Sequence, residues 1–97
     1  MGNLVTSETA EHFTTITIDD GKVNVMSPAL LSELHDAFDR AAEKRKCVIL
    51  TGRPGIFSAG FDLAVIRGGS AVEHHLMLRL GAELALKVLT FPFPVVT

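Results

Sequence analysis

Residues Val48–Ile66 read VILTGRPGIFSAGFDLAVI. The stretch opens as a β-branched apolar run, passes Gly52, Pro54, Gly55 and Gly60, and then resumes as an apolar segment with the spacing of a helical turn. A strand here delivers a bare loop. Glycine has no Cβ, so its backbone reaches φ > 0 and a ligand can come close to its amide and carbonyl. Few purely structural turns need so much freedom. The spacing of Gly52, Gly55 and Gly60 does not fit G-x-G-x-x-G, and no G-K-[ST] follows, so dinucleotide and P-loop readings both lose their motif.

Downstream, Asp62–Ile66 is expected to form one helical turn, broken at Gly68-Gly69. Ser70 with Glu73 has the spacing of a capping box and opens a longer helix. Val72, Leu76, Leu80, Leu84 and Val88 then recur every four residues, with Met77 and Leu86 widening the stripe, which predicts a helix to about Leu89 that faces the core or a subunit interface. Each proline of Phe91-Pro92-Phe93-Pro94 pushes its predecessor into extended backbone and ends that helix. Val95–Thr97 reads as the first half of another buried strand, so the chain is expected to be the N-terminal part of a larger domain.

Upstream, Cys47–Thr51 is a short continuous apolar run, as in a strand covered on both faces. Before it, Ser27 followed by Pro28 marks a helix start. Leu30, Leu31, Leu34, Ala37, Phe38, Ala41 and Ala42 fall on one face at a period of 3.6, so Pro28–Lys44 is an amphipathic helix with Asp36 and Arg40 able to pair on its wet face. Phe13–Ile18 (FTTITI) is a β-branched strand. Asp20-Gly21 suits a type I′ turn, predicting a hairpin whose return strand is Lys22–Val25. Met1–Glu11 is polar and aperiodic and reads as a loose lead-in.

The 97 residues hold 9 Lys and Arg against 11 Asp and Glu, a net charge of −2. The longest basic run, Lys44-Arg45-Lys46, suits a solvated helix end at the negative pole of the macrodipole, so the footprint of a nucleic-acid binder is missing. The single cysteine, Cys47, forms no internal disulfide and reads as a small buried residue of a reducing compartment. No apolar run has the length of a membrane span, and the polar N-terminus is not a signal peptide, which makes a cytoplasmic location the default expectation. His74 and His75 are adjacent, about 100° apart on a helix, and do not form a metal pair. His12 and His35 are expected at the surface. Strands alternating with helices imply a parallel α/β sheet, and the pattern alone leaves open a spiral of ββα units or a doubly wound nucleotide-binding fold.

The letters carry a further signal. LTG, a short Pro/Gly turn and FSAGFDL resemble the first oxyanion-hole motif of the enoyl-CoA hydratase/isomerase (crotonase) family; KVNVMSPALLSEL (22–34) resembles its N-A-L-S segment, and FPFPVVT (91–97) the strand entry before its second motif. The resemblance implies an α/β fold of the ClpP/crotonase type, a spiral of ββα units of which residues 1–97 form an incomplete N-terminal part. It implies an acyl-CoA substrate with coenzyme A as part of that substrate, no separate cofactor or metal, and a homotrimer or dimer of trimers. The backbone N–H of Phe61 becomes the first oxyanion donor. Ala59, Gly60, Asp62 and Leu63 line the path of the CoA adenine and pantetheine, and Lys22 stands where a basic side chain meets a CoA phosphate, with a solvated lysine as the plainer reading.

Such donors act on an enolate-like state, in which negative charge builds on the thioester oxygen; one backbone donor of this kind is worth about 3 to 4 kcal/mol. By the same resemblance, Asp62 shapes the loop and is not the general base, and one of His74 and His75 borders the acyl pocket. Phe61 departs from the small residue usual in the family, and its ring is expected in that pocket. The second donor and the catalytic carboxylates are expected beyond residue 97, so this stretch alone is expected to be inactive in hydration. The alternatives are a truncated, non-catalytic crotonase-like module that binds CoA or packs on a partner, and a nucleotide-binding α/β domain.

Overall fold

The computed structural model describes residues 4–97. Among the described residues there are six strands and three helices, with three strands before the first helix, two between the first and second, and one after the third. Strands β1 (Val5–Thr9), β2 (Phe13–Ile18), β4 (Cys47–Thr51) and β6 (Val95–Val96) form one sheet in the order β1-β2-β4-β6, while β3 (Val25–Met26) and β5 (Gly60–Phe61) form a second, smaller one. The β2–β4 pair is parallel with Ile16 opposite Leu50, and the β4–β6 pair is parallel with Val48 opposite Val95. Helix α1 (Pro28–Lys44) connects β2 to β4 by way of β3, and helices α2 (Leu63–Gly68) and α3 (Ala71–Leu89) connect β5 to β6. Strands β2, β4 and β6 have the parallel α/β arrangement expected from the alternation, and β1 adds an antiparallel edge.

Helix α1 has the expected bounds. The Ser27 side chain accepts from Leu30 N–H, Pro28 sits in the first turn, and Leu30, Leu31, Leu34, Ala37, Phe38 and Ala41 are buried. They pack with Ile16, Ile18, Val48 and Leu50 from the sheet and with Met77 and Leu84 from α3 into one core. Helix α3 opens on the expected capping box: Ser70 Oγ accepts from Glu73 N–H, and Glu73 Oε1 accepts from Ser70 N–H.

Two readings of the sequence, the hairpin and the loose lead-in, are corrected. The hairpin is made by β1 and β2, with Val5 opposite Ile18, and not by β2 and residues 22–25. The lead-in therefore contains a strand, whose polar residues suit an exposed sheet edge; Met1–Asn3 lie outside the described residues. At Asp20-Gly21 the chain turns without folding back, because the Asp20 carboxylate gathers the amides of Lys22, Asn24 and Val25 and sends the chain to the second sheet. The α3 stripe is only partly core: Met77 and Leu84 are buried, but Val72 is 77% exposed and Leu86 60%.

Smaller departures have local causes. Cys47 is a free thiol and half-buried, being the first residue of its strand. His35 does not face solvent alone; its Nε2 lies 2.9 Å from the Leu80 carbonyl and ties α1 to α3. Asp39, not Asp36, makes the ion pair of α1, with Lys87 of α3 at 2.8 Å.

Candidate functional site

The glycine loop between β4 and β5 is a folded object. Arg53 and Ile56 exchange backbone hydrogen bonds at 2.9 Å in each direction. Gly55 and Gly60 have φ of +79° and +99°, in the left-handed region that favours glycine. Gly52 is needed for space: a Cβ there would meet the Ile56 carbonyl oxygen, and Phe57 Cα at 2.8 Å.

What holds the loop against the sheet is a polar corner that the sequence reading passed over. Asn24 is fully buried with φ +56°. Its Nδ2 donates to the carbonyls of Ile18 and Phe57, each at 3.0 Å, and its Oδ1 accepts from Asp20 N–H at 2.9 Å. Ser58 Oγ donates to the Asn24 carbonyl at 2.7 Å and accepts from Gly60 N–H at 3.0 Å. Ala59 N–H donates to the Val23 carbonyl at 2.9 Å, and Arg53 donates to the Lys22 carbonyl while lying 3.4 Å from Asp19. The available signal was Asn24 itself, since asparagine is among the few residues other than glycine that visit the left-handed region routinely.

Burial alone would raise the Asp20 carboxyl, but the amides of Asn24, Lys22 and Val25 together with the Arg53 guanidinium outweigh it and hold the group below its ordinary 3.8. The corner thus keeps an anionic hub at neutral pH.

The predicted site residues fall as follows. Ala59, Gly60, Phe61, Asp62 and Leu63 run in sequence from the end of the loop through β5 into α2, with β5 held beside β3 by Val25–Gly60 and Met26–Phe61 pairing. Lys22 is tied to the glycine loop through its backbone carbonyl, which accepts from Arg53, and the residue is exposed. Asp62 is the N-cap of α2, its Oδ1 accepting from Ala64 N–H at 3.0 Å, which engages the carboxylate structurally. Outside the β3–β5 pairing, no acceptor among the described residues takes the Phe61 N–H. The Phe61 ring lies against Gly81 of α3.

Of the two neighbouring histidines, His75 is exposed, while His74 is half-buried with an Nε2 that has no hydrogen-bond partner. Among the described residues no three His, Cys, Asp or Glu side chains gather as metal ligands, and no helix is long and apolar enough to cross a membrane. A hollow of about 270 Å³ lies between the β1–β2 hairpin and α1, lined by Ser7, Thr9, Thr14, Arg40, Ala41 and Lys44. It is at the opposite end of the sheet from the glycine loop, since Thr14 pairs with Val48 at the start of β4 and the loop leaves the end of that strand.

A mixed sheet whose parallel strand β4 ends in a glycine loop, with a second small sheet clasping that loop, defines an α/β fold of the crotonase type, here in its N-terminal part. Residues 8–97 match the family described as enoyl-CoA hydratase/isomerase, and the chain belongs to that family. Among solved structures, an enoyl-CoA hydratase/isomerase family protein from Pseudomonas syringae is 38% identical with a TM-score of 0.90, over 95% of this chain and 40% of that one. A probable enoyl-CoA hydratase from Mycobacterium tuberculosis is 36% identical with a TM-score of 0.91, over 96% of this chain and 40% of that one. An enoyl-CoA hydratase from Mycobacterium ulcerans is 37% identical with a TM-score of 0.91, over 96% and 41%. The chain thus spans about two fifths of the length of these structures. No curated protein gives a significant match.

Proposed function

We propose that the chain binds an acyl-CoA at the glycine loop and supplies, through the backbone N–H of Phe61, one donor of an oxyanion hole for a thioester enolate. The observation that carries this reading is Gly60 at φ +99°, which turns the chain immediately before Phe61 inside the stretch that matches the enoyl-CoA hydratase/isomerase family. A donor that belongs to the main chain is rigid and does not titrate, and this suits an oxygen whose charge grows only in the transition state. Ala59, Gly60, Asp62 and Leu63 border the CoA path, and Lys22 offers an ammonium to a CoA phosphate.

Coenzyme A enters as part of the substrate. Hydration or double-bond isomerisation is the reaction of the whole protein in this reading, and the described residues provide binding and one donor but no acid and base pair. A cytoplasmic trimer or dimer of trimers belongs to the same proposal, and the exposed apolar residues Val72, Leu86 and Leu89 of α3 favour assembly.

Calorimetric titration with acetoacetyl-CoA, an enolate mimic, tests the donor when Phe61→Pro and Phe61→Ala are compared. Both variants lose the ring, but only proline lacks the N–H. The reading expects the alanine variant to bind at least tenfold more tightly than the proline variant, with both folded by circular dichroism. Equal affinity in the two, or no binding by the folded wild type, would refute it.

A further inference from the structure

The geometry points to Phe61 and Gly81 as a coupled pair that sets the length of acyl group the site accepts: the Phe61 ring is the wall of the acyl subsite, and Gly81 is the positioning residue that lets the ring lie back on α3. This rests on the acyl-CoA reading above.

Gly81 sits inside a 19-residue α-helix. Glycine weakens a helix interior relative to alanine, and Gly81 has none of the left-handed backbone that would require it. Its reason is space. A Cβ built on Gly81 would lie 2.8 Å from Phe61 Cε1 and 2.9 Å from Cζ, and it would meet nothing else so closely. The missing methyl is therefore the seat of the ring.

The seat lies on a border. On a helix, residues three and four apart are neighbours; of those around Gly81, Met77 and Leu84 are buried, while Leu78 and Ala85 are exposed. The ring itself keeps 39% exposure. It covers the line where α3 passes from core to open surface.

Ring and donor belong to one residue, whose Cβ stands about 2.5 Å from its own nitrogen by bond lengths and angles. A thioester oxygen held by that N–H lies beside the residue that carries the phenyl group, and in this proposal the acyl carbons run past the ring. With the ring laid back on Gly81 the path is open; a Cβ at position 81 would push the ring out across it.

Calorimetric dissociation constants for acetoacetyl-CoA and decanoyl-CoA, taken as a ratio, read this directly in wild type, Phe61→Ala, Gly81→Ala and the double variant. Phe61→Ala is expected to shift the ratio at least tenfold toward decanoyl-CoA. Gly81→Ala is expected to shift it at least fivefold the other way, and the double variant to match Phe61→Ala, because the added methyl then meets nothing. Melting temperatures supply a readout without ligand: Gly81→Ala should raise Tm in the Phe61→Ala background and raise it less, or lower it, in the wild type. An unchanged ratio in Phe61→Ala, or a Gly81→Ala shift that persists without the ring, overturns the inference and leaves acyl-CoA binding standing. If the folded wild type binds neither thioester, the functional reading falls and the subsite with it, while coupling in Tm would retain the contact alone.

Discussion

Replacing Asn24 by alanine should cost more stability than any other single change at the polar corner. The side chain makes three hydrogen bonds, to Asp20 N–H and to the carbonyls of Ile18 and Phe57, in a residue with no exposed surface. At about 1 kcal/mol net for each bond, and more for a group left buried without a partner, the loss is about 3 kcal/mol or above. Alanine also takes up φ +56° unwillingly, which adds about 1 kcal/mol. The expected total is about 3 to 5 kcal/mol, enough to lower Tm by roughly 15 °C or more in a domain of this size. Urea unfolding followed by circular dichroism gives the number, and Asn24→Gly separates its parts. Glycine loses the same hydrogen bonds but has no backbone penalty, so it should fall about 1 kcal/mol short of the alanine loss. If Asn24→Ala stays within about 1 kcal/mol of wild type, the side chain is not the anchor. If alanine and glycine cost the same, the left-handed backbone carries no strain.

Asp20→Asn should destabilise by about 1 to 2 kcal/mol at pH 7, because asparagine offers one acceptor where the carboxylate serves three amides. The folded carboxyl is held below its ordinary 3.8, so its contribution is full above that pH and is lost as pH falls through the folded value; the gap between wild type and variant should close in acid, as urea midpoints at pH 7 and pH 3 will show. Gly52→Ala would force a methyl onto the backbone of Ile56 and Phe57, which cannot withdraw as a side chain can; a loss of about 2 kcal/mol or more is expected in the same assay. Ser70→Ala removes one half of a capping box and should cost about 1 kcal/mol, seen as a lower Tm with an unchanged fold at 20 °C.

Most of the helical architecture was legible because local chemistry decides it. Ser27-Pro28 and the 3.6-residue apolar face fix α1, Ser70 with Glu73 starts α3, and the continuous run Cys47–Thr51 is β4 with those bounds. What failed was long-range. The strand Val5–Thr9 has four exposed residues in five, so no alternation of apolar and polar residues marks it; pairing with β2 makes it a strand. Asp20-Gly21 suits a hairpin without forming one, because a turn dipeptide says that the chain turns, not where it goes next. The apolar stripe of α3 predicted the helix but not its exposure, since period reports a face and not what covers it. At the site the glycines and their spacing were legible, and their supports Asn24, Ser58 and Arg53 were not, because their partners lie about thirty residues away in sequence.

Those supports bear on function as well as stability. The β3–β5 pair has two residues in each strand, too few for backbone pairing alone to hold. It persists because residues 23 and 24 are bonded to residues 57, 58 and 59 through Asn24 Nδ2, Ser58 Oγ and Ala59 N–H. The glycines permit the loop's shape, and the corner selects it. Asn24→Gly, which leaves every loop residue unchanged, should therefore weaken acetoacetyl-CoA binding about tenfold, or about 1.4 kcal/mol, at a temperature where the variant is still folded. Calorimetry beside a circular dichroism melt measures both quantities on one sample. Wild-type affinity in a folded Asn24→Gly variant would mean that the glycine loop keeps its binding shape unaided, and that the corner acts on stability alone.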